Sequence, residues 1–449
     1  MTIKEYIKVE EPKILNDTTL SFKLFCSKGI SAFLTSNCLV CKYDRKIGKV
    51  DVSILQIPAV ASIINLAWAI GADIHVKSLD STYLTSLNKI KSVTRNWYPQ
   101  LSFSTEIVAG NVISNRLSND RYGLLYTGGI DSTTSYIKHR NKRPNLITVW
   151  GEGEDISSYE KKAEKTLIDF SHQEGVRLNV IKTNVEQVID RRLLYEKFGL
   201  NWWMNLSHGI VLSGLCAPLT CVENIGTLLL ASSFTSEFNY PWGSHPLIDN
   251  NICWADTRVV HDGYEMTRQE KIRYILKEYI KKTGNYPVLR VCMNYEATGA
   301  NCRKCEKCCR SITGLVLEDI DPNKCGFNVD ARTLNFVKGS LINAKFFGRK
   351  ALAERRAKLI NRIYPVFEWE DIQNHIPEII DNDLYDSKKF FEWFKYFDIR
   401  RCSEHIKISQ LPRLFLYSMF DLLAPINCLL PRKIRHMIRQ SFHFFFERK

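Results

Sequence analysis

The sequence contains no apolar segment of the kind that carries a chain into or across a membrane. Its first residues, MTIKEYIKVEEP, include no apolar h-region, so we expect no signal peptide. Two apolar stretches, 54–72 and 411–430, are interrupted by polar residues or proline: Gln56, Pro58, Ser62 and Asn65 in the first, and Arg413, Asp421 and Pro425 in the second. We therefore expect a buried helix at 54–72, no transmembrane span and a cytoplasmic protein.

Internal repeats and low-complexity linkers are also absent from the sequence, whereas cysteine and positive charge are abundant. The chain has 14 cysteines in 449 residues, and without export these favour free thiols or metal sites over disulfides. Its formal net charge of +14 indicates an anionic partner, such as a nucleotide, a nucleic acid or a membrane surface, although a generally basic protein would have the same charge. The length allows two or three domains.

Residues 1–117 mix strand-like and helical runs, and we expect them to form an N-terminal α+β domain. Strands are predicted at 20–26, 32–43, 50–55, 73–76 and 102–108, and helices at 58–69 and 81–91. Cys38 and Cys41 have CxxC spacing inside an apolar run. We interpret them as core cysteines, because no second pair lies nearby that could complete a metal site.

Residues 329–449 are predicted to form a helical, basic C-terminal region. Helices are expected at 334–347, 349–364, 369–375 and 387–393. The tail at 431–449 combines basic residues with phenylalanines, which is compatible with a membrane-surface helix. We favour a helix that packs its aromatic face on its own domain, because that outcome is the commoner one.

Residues 118–328 alternate strand-like and helical runs. Strands are predicted at 124–126, 146–150, 177–183 and 226–233, and helices at 132–140, 158–175 and 204–215. Such alternation is typical of a parallel sheet with helices on both faces, so we predict an α/β fold. Ligands of these sheets bind beyond the carboxyl ends of the strands, which is where residues 127–132 fall.

A glycine turn, Thr127-Gly128-Gly129, joins the first of these strands to a polar helix start at Asp131-Ser132. Unpaired amides and the helix dipole favour negative charge at such a helix start, and glycine lets the backbone approach an anion closely. The pattern is not a Walker A loop, because no Gly-Lys-Ser/Thr follows the turn. The sequence therefore predicts a phosphate-binding loop of another kind.

A dense group of cysteines is the second strong signal. Cys302, Cys305 and Cys308 follow one another at a spacing of three, and Cys292 lies ten residues before them. Four thiolates can surround one tetrahedral ion, for which zinc is the natural occupant; an iron–sulfur cluster and a redox thiol group are the alternatives. We expect the neighbouring basic residues to offset the negative charge of this site: Arg303, Lys304, Lys307 and Arg310.

The loop resembles the PP-loop of ATP pyrophosphatases, usually Ser-Gly-Gly-x-Asp-Ser, with Thr127 in place of the first serine. With the cysteine group, residues 120–315 resemble the 7-cyano-7-deazaguanine synthase branch of that superfamily. The resemblance implies ATP and Mg²⁺ as cofactors and zinc held by the four cysteines. It also implies adenylation of a carboxylate or carbonyl group for attack by ammonia or an amine. The residues implied to bind ATP are Thr127, Gly128, Gly129, Ile130, Asp131, Ser132, Thr133 and Gly151.

The sequence departs from this family where the family binds its substrate. The basic pair expected after Gly151 is missing, and residues 240–249 keep only part of the family pattern. We take Asp131 and Ser132 as catalytic, with His245 as the first candidate on the substrate side. Further candidates are His208, Glu237, His261 and Asp262, together with Arg268 and Lys271, whose segment resembles one in the family. For each of these a structural role is the alternative.

Three classes of function fit these observations. The first is an AMP-forming ligase that acts on a small carboxylate or a modified base. The second is a PP-loop enzyme that modifies a macromolecule, such as tRNA, a glycan or a protein, which the basic charge favours. The third is a non-catalytic, zinc-containing module that binds nucleotides. An oligomer is compatible with all three.

Overall fold

The computed structural model describes residues 4–151, 158–292, 300–347, 357–381 and 383–404. The predicted tail at 431–449, the apolar stretch at 411–430 and much of the helix predicted at 349–364 lie outside these residues. The segment after Gly151, where the family's basic pair is missing, lies outside them too.

Twelve strands form one mixed sheet in the described part of the chain. They are β1 Tyr6–Val9, β2 Lys13–Leu15, β3 Thr19–Cys26, β4 Cys38–Tyr43, β5 Asp73–Asp80, β6 Ile107–Ile113, β7 Arg121–Leu125, β8 Asn145–Gly151, β9 Leu178–Thr183, β10 Ile225–Ala231, β11 Cys253–Trp254 and β12 Thr257–Asp262. Their order is β11-β12-β10-β7-β8-β9-β4-β3-β1-β5-β6, with β2 paired to β3. The predicted α/β fold is confirmed as a large, mostly parallel mixed sheet with helices.

Sixteen α-helices accompany the sheet in the described residues. They are α1 Lys28–Ser31, α2 Val52–Leu55, α3 Ile57–Ile70, α4 Ser81–Trp97, α5 Ile130–Lys138, α6 Ser158–Glu174, α7 Arg191–Phe198, α8 His208–Val222, α9 Pro246–Asp249, α10 Arg268–Glu270, α11 Lys277–Thr283, α12 Glu306–Leu317, α13 Thr333–Ile342, α14 Ala357–Asn374, α15 Ser387–Phe394 and α16 Ile399–Glu404. Two π-helical segments, Trp202–Ser207 and Lys271–Leu276, lead into α8 and α11.

The parallel strands β12, β10, β7, β8 and β9 form the part of the sheet that carries the predicted loop. The register places Leu229 of β10 beside Leu124 of β7, and Leu124 beside Leu146 of β8. All three side chains are buried, because both faces of a parallel sheet are covered. The carboxyl ends of these strands therefore meet at one edge, where β7 leads into residues 127–132.

An antiparallel pair joins the N-terminal strands to this parallel part. Cys41 of β4 lies opposite Thr183 of β9, with 3.6 Å between the sulfur and the hydroxyl oxygen. The Asn184 side chain accepts from the Val40 amide at 2.8 Å and donates to the Cys38 carbonyl at 3.0 Å. The sheet, and the apolar core beneath it, thus continue from residues 1–117 into residues 118–328.

Three strand predictions in the N-terminal part are wrong in detail, and some strands elsewhere in the chain were not predicted. Residues 50–55 were expected to form a strand but include α2, because Asp51 caps the Ser53 amide at 2.9 Å and three consecutive residues are buried. The strand expected at 32–43 is limited to β4, where Cys41 is buried and Cys38 lies on the opposite face. The strand expected at 102–108 begins only at Ile107. Four short strands were not predicted: β1 and β2 near the N-terminus, and β11 and β12 after β10.

One helical stretch among the described residues, Trp202–Val222, is long and apolar enough to cross a membrane by length and composition. Most of its apolar window is buried inside the protein, and α8 packs there against α3. Gly214 allows this close approach, since a side-chain carbon at that position would collide with Ala61. The burial of α3 agrees with the buried helix predicted at 54–72.

A second apolar core lies among the helices that follow the sheet. It contains Leu315 of α12 with Trp369 of α14 and Phe391 of α15, all nearly fully buried. Cys292 and Cys308 belong to the same core. The helices of the C-terminal region therefore pack directly against the segment that carries the cysteine group, and α14 brings Glu368 toward the edge of the sheet.

Candidate functional site

The predicted loop turns sharply between β7 and α5. Gly128 has a φ of 74°, a conformation that favours glycine, and its carbonyl accepts the Arg290 amide at 2.7 Å. The Ser132 hydroxyl closes the turn: its oxygen lies 3.4 Å from the Thr127 amide, 3.3 Å from the Thr127 hydroxyl and 3.3 Å from the Gly129 carbonyl. Gly129 occupies the position before α5, so no side chain caps the first amides of this helix.

A cavity of about 500 Å³ opens beside the loop. Its walls come from the loop, the ends of β7 and β10, the middle of β8, the start of α8, the start of α10, residues 290–291 and the start of α12. Among the described residues that line it, four are cationic, namely Arg268, Arg290, Lys307 and Arg310, and one is a carboxylate, Asp131. The cavity is therefore positively charged at the place where α5 presents uncapped amides, and both features favour an anion.

Asp131 is held by two of the surrounding cations. Its carboxylate lies 2.8 Å from the Arg268 guanidinium and 3.2 Å from the Lys271 ammonium. Burial by itself would raise the pKa of the Asp131 carboxyl, but the two cations outweigh burial and lower that pKa to about 2. Both carboxylate oxygens are thus engaged, and the pair ties α5 to α10 and to the π-helical segment after it.

Two carboxylates, Glu368 and Glu306, hold the guanidinium groups of Arg268 and Arg310 at the cavity. Glu368 lies 2.9 Å from Arg268 and 3.1 Å from Arg310, and Glu306 lies 3.4 Å from Arg310. Arg290 is fixed by its backbone bond to the loop, and its guanidinium lies over the Trp150 ring at 4.9 Å. Each guanidinium of the wall is therefore oriented by a specific neighbour.

The four predicted cysteines come together. The sulfurs of Cys292 and Cys305 are 4.0 Å apart, those of Cys302 and Cys308 are 3.9 Å apart, and all four lie within 4.8 Å of one another. Zinc–sulfur bonds of about 2.3 Å in a tetrahedron require sulfurs roughly 3.8 Å apart. The donor set therefore fits a metal such as zinc. Cys309 is buried outside the group and contacts the Arg303 carbonyl at 3.3 Å.

The structure does not bring His245 to the cavity. Its Nδ1 accepts the Leu247 amide at 3.1 Å, which caps α9, and its Nε2 lies 2.9 Å from the Asn239 side-chain oxygen. Burial lowers the pKa of His245 to about 4, so the ring is neutral near pH 7. Both ring nitrogens make hydrogen bonds within the protein, which favours the structural role for His245 over the predicted catalytic one.

His261 lies in an arrangement that resembles a Ser-His-Asp triad. Its Nδ1 is 2.7 Å from Asp249 and its Nε2 is 2.7 Å from the Ser232 hydroxyl. Ser232 is almost fully buried, does not line the cavity, and lies 2.6 Å from the Phe234 carbonyl. The hydroxyl is closed to a substrate, so the network serves to join β12, α9 and the residue after β10.

The remaining candidates divide between the cavity and the scaffold. His208 lines the cavity; its Nδ1 is buried with no hydrogen-bond partner among the described residues, and burial lowers its pKa to about 4. Asp262 does not line the cavity. Its carboxylate lies 3.1 Å from Lys138, the last residue of α5, and 2.9 Å from His139, which follows that helix. Glu237 is exposed in a short turn and does not line the cavity.

Five of the loop residues assigned to ATP line the cavity: Thr127, Gly129, Ile130, Asp131 and Ser132. Gly128 shapes the turn without lining it, Thr133 is buried beside Tyr126, and Gly151 lies at the exposed end of β8. Arg290 and Trp203 also line the cavity and are not singled out by any sequence pattern, and Lys307 and Arg310, expected only to offset the charge of the metal site, line it too. The helical spacing of Lys307, Arg310 and Ser311 was a usable signal for a shared face.

Comparison with protein-family models gave no matching family, and comparisons with curated proteins and with solved structures gave no match either.

Proposed function

We propose that this protein is an ATP-dependent ligase that forms AMP and pyrophosphate, adenylating a carboxylate or carbonyl group for attack by ammonia or an amine. One observation carries the proposal: the start of α5, at the carboxyl end of β7, lies in a cavity whose described lining residues include four cations and one carboxylate. An open α/β sheet binds ligands at this edge. The excess of cations suits a polyphosphate better than an uncharged ligand.

The first half of the proposed reaction is adenylation, in which the cationic lining residues and the start of α5 would act on the leaving pyrophosphate. A substrate carboxylate oxygen attacks the α-phosphorus of ATP, and the bond from that phosphorus to the bridging oxygen breaks, so that pyrophosphate leaves with the electron pair. The amides at the start of α5 and the cations Lys307 and Arg310 stabilise the charge that develops on the leaving group. The Thr127 and Ser132 hydroxyls, which already contact each other, can donate to the same oxygens.

The second half of the reaction forms the new bond to nitrogen. Ammonia or an amine attacks the acyl carbon, loses a proton and displaces AMP. Among the described lining residues His208 is the one imidazole, and its neutral ring can accept that proton. The apolar floor of the cavity, which includes Leu212 and Leu230, limits the water that could hydrolyse the acyl-adenylate instead.

Mg²⁺ and zinc have different roles in this proposal, because the described residues offer a set of ligands for zinc alone. Asp131 is the one carboxylate among the described lining residues and both its oxygens bind cations, so the wall offers Mg²⁺ no free carboxylate. Mg²⁺ would therefore enter with the triphosphate and be held by its oxygens and by water. The four thiols fit zinc, which would fix the two segments that carry them.

Exchange of labelled pyrophosphate into ATP, with a panel of carboxylates, tests the activity, and Gly128→Val tests the site. A valine at position 128 must keep a φ near 74°, which is strained for a residue with a side chain, and its Cβ would lie 3.1 Å from Leu167. We expect both effects to distort the loop. Gly284→Val is the matched control, because Gly284 has a φ of 71° with no atom within 4 Å of the added carbon.

We expect both glycine variants to lose stability, and only Gly128→Val to lose ATP binding and exchange. Equal ATP affinity in the two variants would refute the loop assignment. Binding of ATP by the unchanged protein without exchange on any carboxylate would favour a non-catalytic nucleotide-binding module. Exchange that requires added RNA, glycan or protein would indicate a macromolecular substrate.

A further inference from the structure

The two chain segments that carry the cysteine group also supply three of the four cationic side chains that line the described part of the cavity: Arg290, Lys307 and Arg310. Arg290 and Val291 line the cavity immediately before Cys292. On α12, Lys307 lies between Cys305 and Cys308 and lines the cavity as well. Each segment therefore presents a thiol to the metal site and, within two residues, a side chain to the cavity.

One of these segments is bonded directly to the phosphate loop. The Arg290 amide donates to the Gly128 carbonyl at 2.7 Å, at the residue whose positive φ makes the turn. A displacement of Cys292 would thus be transmitted over two residues to the loop. The Arg290 guanidinium, held over the Trp150 ring, would move with it.

Asn301 connects the two thiol-bearing segments to each other. Its side-chain oxygen accepts the Val291 amide at 3.1 Å, and its side-chain nitrogen donates to the Leu289 carbonyl at 2.8 Å. Cys302 follows it directly, and the Cys302 sulfur accepts the Cys305 amide at 3.2 Å. The four sulfurs and this asparagine therefore set the separation between Arg290 and the start of α12.

We propose that metal occupancy of the four thiols positions Arg290, Lys307 and Arg310 for phosphate, so that the metal and a pyrophosphate group bind with positive coupling. The inference rests on the proposed function, because it takes the anion of this cavity to be the pyrophosphate part of ATP. A bound ion fixes all four sulfurs at one spacing, whereas free thiols can separate. The guanidinium and ammonium groups converge on one anion only while the two segments keep that spacing.

Coupling of this kind is reciprocal. If the metal raises the affinity for pyrophosphate by some factor, pyrophosphate must raise the affinity for the metal by the same factor. Couplings between two sites in proteins are typically about 5- to 150-fold. We expect the coupling factor to lie in this range and not above it. The apolar packing of Cys292 and Cys308 holds the two segments together in part even without a metal.

The experiment measures binding of inorganic pyrophosphate by calorimetry to the zinc-loaded full chain and to the same chain stripped with a chelator. Circular dichroism of both forms shows whether the fold persists. Cys302→Ser should bind pyrophosphate as weakly as the stripped chain. Cys26→Ser, which removes a thiol from β3 far from the group in sequence, should behave like the unchanged protein.

A second variant keeps the test valid if removal of zinc unfolds the chain. Lys307→Met keeps all four thiols, so it should hold zinc and stay folded while its zinc affinity responds less to pyrophosphate. In the unchanged protein, we expect pyrophosphate to bind more weakly without zinc and zinc to bind more tightly with pyrophosphate. In Lys307→Met, each ligand should change the affinity for the other by a smaller factor.

Equal pyrophosphate affinity with and without zinc, in a folded chain that loses binding in Gly128→Val, would overturn the coupling and leave the proposed function standing. If zinc removal unfolds the chain, a zinc affinity that pyrophosphate does not change would overturn it equally. Failure of pyrophosphate and ATP to bind any form would overturn both proposals.

Discussion

Asp131→Asn removes a carboxylate that two cations hold inside the cavity wall. The pKa of the Asp131 carboxyl is lowered from 3.8 to about 2, and one pKa unit corresponds to about 1.4 kcal/mol. The ionised carboxylate therefore contributes about 2 kcal/mol to the free energy of unfolding at pH 7, and we expect the variant to lose about that amount. Arg268 keeps Glu368 and Lys271 keeps the Ser232 carbonyl, so neither cation is left without a partner.

The sign of the pH dependence follows from the lowered pKa. The contribution of Asp131 is present above about pH 4, where the unfolded chain has also ionised, and it is lost as the pH falls toward 2. Urea denaturation followed by tryptophan fluorescence at pH 7 and pH 3 should show a smaller decrease in stability for the variant than for the unchanged protein.

Asp169→Asn is the matched control for this substitution. Asp169 forms an exposed ion pair with Lys165 at 2.8 Å, and such pairs contribute about 0.5 kcal/mol or less. If Asp131→Asn costs no more than this control, the reasoning about the buried pair is wrong. The variant should also bind magnesium-free pyrophosphate more tightly, because the cavity loses the one negative side chain among its described lining residues.

Two further predictions concern the cap of α9 and the thiols. His245→Ala should lower the free energy of unfolding by about 1 kcal/mol, because the Leu247 amide loses its acceptor, whereas His245→Asn can keep the cap. Pyrophosphate exchange should be unchanged in both variants. A tenfold loss of exchange at unchanged stability would contradict this prediction. Because burial lowers the pKa of His245 to about 4, its stabilisation is lost as the pH falls from 6.5, and His245→Asn should lessen that loss. Cys302→Ser should lose bound zinc by elemental analysis while Cys26→Ser keeps it, and unchanged zinc content would refute the four-thiol site.

The loop and the thiol group could be predicted because their signals are local. An apolar run, two glycines and a polar helix start lie within one short segment, and the cysteine spacing needs no knowledge of the fold. The cationic wall could not be predicted in the same way. Arg268, Arg290 and Arg310 come from three separate segments, and only the fold brings them to the carboxyl end of β7.

The wrong prediction at 50–55 and the position of His245 outside the cavity lining have a common physical origin. A short apolar run predicts a strand or a helix equally well, and the Asp51 cap decided for a helix. A histidine near the predicted site can serve the substrate or the backbone, and the Leu247 amide decided for the backbone. In both cases one hydrogen bond with a neighbour in the chain outweighed the pattern on which the prediction rested.

The antiparallel pair between β4 and β9 also has a consequence for synthesis of the chain on the ribosome. Cys41 meets Thr183 across 142 residues of sequence, so β4 has an open edge until β9 has emerged. At translation rates of 5–20 residues per second this delay is roughly 7 to 30 s. During that interval β4 presents unpaired backbone groups along one edge, and such an edge can pair with a strand of another chain.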